Sequence, residues 1–199
     1  MREENKSLRQ QQIETAAYAL LEEKGYAGAS MLAIAKKARA SNETLYNWYG
    51  DKQGLFKALV TRNAAEVKSL LERELAAASE PMTTLAGFGP KLLELLLGDR
   101  AIALNRAAAA DPTGELGAVI SLAGRETVLP LVVQVLDAAR LEGKLAFDQP
   151  EEAASLYMNL LVGDLQIRRV IGRVPAPTPG FCIERSELAL TRLARLLSP

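Results

Sequence analysis

Residues 30–56, SMLAIAKKARASNETLYNWYGDKQGLF, decide how this chain is read. Met31, Ile34, Ala35 and Ala38 recur three and four apart, which gives a short helix one apolar face. Ser30, just ahead of them, suits an N-cap. Ser41 is placed to cap a second short helix, about residues 42–49, which Gly50 ends. Asp51 then caps a third, longer helix. In the second short helix Leu45 and Tyr49 are four apart and face inward. Thr44, Tyr46, Asn47 and Trp48 are left to its outer side or rim, where hydroxyls and an amide suit phosphates and base edges better than a core.

Outward from this block, apolar residues keep helical spacing almost throughout, and no strand pattern interrupts them. A first helix is expected from near Ser7, where Ser7 and Gln10 have capping-box spacing. It buries Ile13, Ala17, Leu20 and Leu21 and stops at Gly25. The helix after Asp51 is expected to run from 52 to 78, roughly 40 Å at 1.5 Å per residue. Leu55, Phe56 and Leu59 should close a small N-terminal core, and the remainder should project onward as a connector. Further helices are expected over 82–97, 100–110, 113–142 (kinked or split at Pro130), 151–171 and 184–197. VPAPTPG, residues 174–180, reads as a loop. The expectation is an all-α chain of about nine helices. Residues 1–56 form a helix-turn-helix domain, and 57–199 form a larger helical domain.

Bulk properties narrow the function. The 199 residues are 49% apolar, with 24 basic and 24 acidic side chains. Broad positive charge therefore cannot hold a polyanion, and any such grip must come from local placement. There is no histidine, so the commonest general base and metal ligand are missing. Cys182 is the single cysteine, which leaves no internal disulfide and no Cys/His metal spacing. It is expected to be a packed small residue. No catalytic constellation or phosphate-binding Gly loop is found, so neither enzyme activity, metal nor cofactor is expected. The polar start MREENKSLRQQQ lacks a signal-peptide core. The longest apolar runs are broken by Gly, Pro or charge, so no membrane span is expected. A protein of the reducing cytoplasm fits these features.

Two helices joined by a turn of about three residues dock steeply, and the second then fits the DNA major groove. Its N-terminus at Asn42 and Glu43 offers unpaired N–H groups to a phosphate. The block resembles the DNA-binding domain of the tetracycline-repressor (TetR) family of bacterial transcriptional regulators. The resemblance rests on Ile13, Ala16 and Ala17, then Gly25 and Tyr26, then Ile34, Ala35 and Ala38. It continues through Ser41, Thr44, Leu45, Tyr46, Tyr49, Lys52, Leu55 and Phe56. The resemblance implies phosphate binding by the hydroxyls of Ser30 and Tyr46, and by the Lys52 side chain or backbone amide. It places Ser41, Thr44 and Asn47 at DNA. Asn47 either reads adenine or holds a phosphate. Trp48 packs on the sugar–phosphate rim, and Asn42 and Glu43 tune sequence preference. Lys36, Lys37 and Arg39 add charge near the backbone. Two residues depart from the family pattern: Arg39 stands where the turn usually has Gly, and Glu43 puts a carboxylate on the recognition helix.

For the larger domain the resemblance implies a small-molecule effector pocket and a homodimer. Phe88, Leu92, Asn105, Leu122, Arg125, Leu129 and Tyr157 are pocket candidates by residue type. Leu156, Leu160, Gly163 and Ile167, with Leu190, Leu193 and Leu197, repeat at helical spacing and are candidates for a dimer surface built as a four-helix bundle. The implied function is a ligand-responsive homodimeric repressor that binds a near-palindromic double-stranded operator. The alternative is a helical small-molecule-binding or adaptor protein with little sequence reading.

Overall fold

The computed structural model of the chain describes residues 2–199. Every regular element among them is helical. The order is α1 (Arg2–Gly28), α2 (Met31–Ala38), α3 (Asn42–Tyr49), α4 (Lys52–Ala76), α5 (Pro81–Leu97), α6 (Asp99–Ala109) and α7 (Glu115–Ile120). A π-helical segment follows (Ser121–Arg125), then α8 (Glu126–Leu141), α9 (Pro150–Leu161), α10 (Leu165–Val170) and α11 (Pro179–Leu196). Among the described residues there are thus eleven α-helices rather than about nine.

Four local expectations change. The first helix starts by Arg2, so Ser7 lies inside it; it does break at Gly25, where φ is 66°. The 113–142 segment is not split at Pro130. Its winding widens earlier, at Ser121–Arg125, and Pro130 lies within α8. Residues 151–171 are two helices, because Gly163 takes φ +52° between them. Finally, α11 begins inside the supposed loop, at Pro179. There Thr178 accepts from the Phe181 N–H at 3.2 Å, and proline at the first helical position lacks only a donor that has no partner anyway.

The chain forms two compact units. The first comprises residues up to 62 together with 103–123. Its core joins Ile13, Ala17 and Leu20 of α1, Ile34 and Ala35 of α2, Leu45 of α3, and Leu55, Phe56 and Leu59 of α4. Leu104, Ala107 and Leu116 complete the same cluster. Hence the division differs from 1–56 and 57–199: four apolar side chains of 103–123 (Ala123 included) bury with the N-terminal helices. The Tyr26 ring meets Phe56 edge-on, centroids 5.6 Å apart. Buried Glu14 pairs with Arg62 at 3.0 Å, tying α1 to α4.

The second unit comprises 63–102 and 124–199. Leu85, Phe88 and Leu93 of α5 pack with Leu136 of α8, Tyr157 and Leu161 of α9, and Leu193 of α11. Gly89 lets α5 and α11 approach: a Cβ there would lie 2.0 Å from Ser186 Oγ and 2.9 Å from the Tyr157 hydroxyl. Side chains close the ends of α5 and α9. Gln166 Nε2 donates to the Leu96 carbonyl (3.2 Å), Arg169 Nε to that of Leu97 (3.0 Å), and Arg185 Nε to that of Leu161 (2.9 Å). These donors satisfy carbonyls that a helix C-terminus leaves without partners.

Contrary to the expectation from broken apolar runs, the continuous winding Glu115–Leu141 has the length and composition of a membrane span. It carries Arg125, Glu126, Asp137 and Arg140. Such charges cost about 2.5–3.5 kcal/mol each at a bilayer centre, and they set this run apart from a typical spanning helix.

Candidate nucleic-acid interface

Both short helices begin on a serine, as the sequence predicts. Ser30 Oγ accepts from the Ala33 N–H (3.2 Å), and Ser41 Oγ from the Thr44 N–H (3.0 Å). Thr44 Oγ1 lies 2.7 Å from Ser41 Oγ. A capping hydroxyl uses an oxygen lone pair and keeps a proton to donate. Two helix N-termini, each with an exposed serine, are thereby set on one small frame. In α3, Leu45 is fully buried and Tyr49 half-buried, whereas Asn42, Glu43, Tyr46 and Asn47 are exposed along one side. Thr44 and Trp48 flank that side and are half-buried.

The turn between α2 and α3 carries Arg39 in the left-handed region, φ 52° and ψ 37°. Its N–H closes α2 on the carbonyls of Ala35 and Lys36, and its own carbonyl accepts from Arg9 Nη1 at 3.2 Å. Lys36 is exposed, and Lys37 pairs with Glu23 at 3.5 Å. Lys52 is placed differently from a free phosphate-binding side chain. Its Nζ donates to the Tyr26 carbonyl, lies 3.5 Å from that of Ala27, and sits 4.0 Å from the centre of the Tyr26 ring. Burial lowers its pKa from 10.5. The ammonium thus closes the end of α1, while the Lys52 backbone amide occupies the first position of α4, where no intrahelical carbonyl reaches. Asp51 caps the same helix end, accepting from the Gly54 N–H at 2.7 Å.

Three contacts here escaped the residue-by-residue reading. Lys6 Nζ lies 5.9 Å from the centre of the Trp48 ring, Arg9 holds Arg39, and Gln10 Oε1 accepts from Arg62 Nη2 at 3.1 Å. Spacing could have found two of them: Lys6 is seven residues before Ile13, and Arg9 is seven before Ala16, so both continue the buried stripe of α1.

Matches to known proteins cover most of the chain. Residues 13–59 match the model of bacterial regulatory proteins of the tetR family, and residues 83–181 match the C-terminal domain of AefR-like transcriptional repressors. The chain belongs to the TetR family. It is similar over 95% of its length to a TetR transcriptional regulator from Agrobacterium tumefaciens (29% identity, 94% of that chain, TM-score 0.74). It is similar over 97% to the flavonoid-responsive regulator FrrA (26% identity, 98% of that chain, TM-score 0.68). A TetR-family regulator from Mesorhizobium loti shares the fold at 23% identity, covering 97% of this chain and 98% of that one (TM-score 0.78). No curated protein matches the chain. It is a transcriptional regulator with a helix-turn-helix DNA-binding domain and a C-terminal ligand-binding domain; the TetR family is one of regulators, not enzymes.

The structure separates the effector candidates of this TetR-family chain. Phe88, Leu92 and Tyr157 lie in the core of the second unit, with Leu129 packed against it. The Tyr157 hydroxyl donates to the Leu85 carbonyl at 3.4 Å, and burial raises its pKa. Arg125 is exposed at the end of the π segment. Asn105 and Leu122 belong to the first unit, and Leu122 is 63% exposed. A cavity of ≈190 Å³ in the second unit is lined instead by Leu75, Ala78, Pro81, Thr84 and Val135, with Glu74 and Glu142 among its polar neighbours. None of the candidates lines it.

The dimer candidates divide similarly. Ile167 is exposed, and Leu156, Leu160, Leu190 and Leu197 are half-buried. Leu193 is fully buried in its own unit, so it is a core residue rather than a surface one. Gly163 is exposed in the turn between α9 and α10, which ends the straight stripe expected from Leu156 to Ile167. Ile171, Ile183 and Leu188 are further apolar side chains more than two-fifths exposed.

Proposed function

We propose that this regulator works as a homodimeric, ligand-responsive repressor, with the helix-turn-helix of the first unit gripping a near-palindromic operator and the second unit sensing the effector and pairing the protomers. The observation that carries the reading is the exposed side of α3, with Asn42, Glu43, Tyr46 and Asn47 together, flanked by two serine-capped helix starts. Helix N-termini and hydroxyls position a protein on phosphates, and an asparagine amide and a carboxylate discriminate base edges. Ser30, Ser41, Thr44 and Tyr46 fill the positioning role, together with the backbone amide of Lys52. Asn42, Glu43 and Asn47 fill the reading role. Trp48 lines the rim, with Lys36 and Arg39 adding charge.

Exposed Ile167, Ile171, Ile183 and Leu188 support pairing through α10 and α11, joined by the half-buried Leu156, Leu160, Leu190 and Leu197. Helix α4 has residues in both compact units, as do α6 and the π-helical segment, which makes it one of three covalent routes from effector to DNA grip. Coupling requires the effector to favour one arrangement over the other. The apolar side chains of Leu75, Ala78, Pro81 and Val135 that line the cavity favour a largely apolar effector. FrrA, at 26% identity, responds to flavonoids, so flavonoids are the first class to try. A gel-shift titration against DNA from upstream of the coding region tests the reading, with light scattering for the dimer. Salt-sensitive binding that prefers this DNA below micromolar concentration supports it. Equal binding to unrelated DNA, or a monomer at micromolar protein, overturns it.

A further inference from the structure

Residues 5–12 of α1 lie outside the core they lead into. From residue 5 to 12 only Gln10 is half-buried, the rest are exposed, and the one large apolar side chain, Leu8, is 57% exposed. Hydrophobic burial therefore does not explain why the helix extends so far. Its contacts are polar and converge on the DNA-binding frame: Lys6 on the Trp48 ring, Arg9 on the Arg39 carbonyl, Gln10 on Arg62. Lys6 and Arg9 lie three apart on one side of the helix, in line with the buried stripe. Among residues 5–199 no carboxylate forms an ion pair with either of them. Both bonds of Arg9, to Gln12 and to Arg39, use Nη1. A guanidinium carries five N–H donors, so most remain available.

Position gives these charges a use. Trp48 borders Asn47 on the flank of α3's exposed side. A helix seated in a major groove about 12 Å wide has a phosphate wall at each flank. A cation held on Trp48 therefore stands at the wall next to Asn47, and one held on Arg39 stands at the turn that precedes α3. We infer that Lys6 and Arg9 form a second phosphate clamp, which grips the DNA backbone beside the recognition helix and carries no sequence information. This rests on the DNA-binding reading above and adds two contacts to it. It also answers the charge balance: a chain with zero formal charge places its cations where the backbone passes.

The test is salt dependence in the full-length protein, on its operator and on unrelated duplex DNA. Each lost phosphate contact lowers the slope of log K against log salt by about 0.9. Lys6→Gln should lower it by about that amount per bound protomer, and by the same amount on both DNAs, with Lys6→Arg restoring it. Lys6→Gln combined with Arg9→Gln should lower it by about twice as much. Circular dichroism and urea unfolding of Lys6→Gln should match the wild type. An unchanged slope in Lys6→Gln overturns the clamp, as does a loss confined to the operator. Wild-type protein that binds no DNA overturns the parent reading and the clamp with it.

Discussion

Substituting Gly54 by alanine sets two effects against each other. Gly54 sits in the first turn of α4, where φ is ordinary, so helix propensity alone favours alanine by up to about 1 kcal/mol. Space argues the other way. A Cβ on Gly54 would lie 2.0 Å from the Tyr49 carbonyl oxygen and 3.2 Å from its carbon. That neighbour is backbone, at the end of the recognition helix, and its oxygen already accepts from the Asp51 N–H at 3.0 Å. No rotamer can relieve the clash, so the end of α3 must move by roughly 1 Å. Forced overpacking costs typically 1–3 kcal/mol, and a rigid backbone partner puts this case towards the upper end. The net expectation for Gly54→Ala is a loss of about 1–2 kcal/mol in urea unfolding. Affinity should fall too, because α3 carries the reading residues. Losing one good base contact costs about 1–3 kcal/mol, roughly fivefold to 150-fold. A variant as stable as the wild type, with unchanged operator affinity, would refute the reasoning and show that the turn yields easily.

Other substitutions probe separate parts. Arg39→Gly should raise stability by about 0.5–1 kcal/mol in urea unfolding, since a non-glycine residue at φ 52° carries a left-handed penalty that exceeds glycine's entropic cost; a destabilised variant would mean that the side chain holds the turn. Lys52→Met should lower stability by about 1–2 kcal/mol, because charge-assisted bonds to carbonyls and the contact with Tyr26 go together; unchanged stability with weakened DNA binding would return the ammonium to a phosphate role. Cys182 should resist a thiol reagent in the native state at pH 8 and react on unfolding, because it is buried and burial raises its pKa from 9.0. Glu80 caps α5, and hydrogen bonds from Thr83 hold its pKa below 4.5, with the Met82 amide contributing. A carboxylate whose folded pKa is depressed contributes stability that is present above the unfolded value and lost as pH falls through the folded one. The stability difference between wild type and Glu80→Gln should therefore shrink as pH drops below about 4.5, as urea midpoints at several pH values would report; a constant difference would argue against the cap.

Much of the DNA-binding frame was legible because its signals are local. Ser30, Ser41 and Gly50 act within four residues of where they stand, and Leu45 is buried because its spacing demands it. Longer-range features were not. Nothing near Leu104 or Leu116 marks them as members of the same core cluster as Ile13, which lies 91 and 103 positions away from them. Leu193 and Ile167 carry the same residue-type signal, yet one is buried and the other exposed; the neighbours that differ come from other helices. The break at Gly163 was readable in principle, but a single glycine in a helical pattern is often tolerated. Lys52 matched its expected position and not its expected contact, because the Tyr26 carbonyl lies within reach only once α1 has ended at Gly25.

The most direct test of the central claim is selection of bound sequences from a random duplex pool by the full-length protein, followed by alignment of the winners. A near-palindrome is expected, with half-sites one helical turn, about 10–10.5 base pairs, or a multiple apart. Substituting Asn47 by alanine should relax the preference at one position in each half-site. An unenriched pool, or enrichment that Asn47→Ala leaves untouched at every position, would contradict that claim.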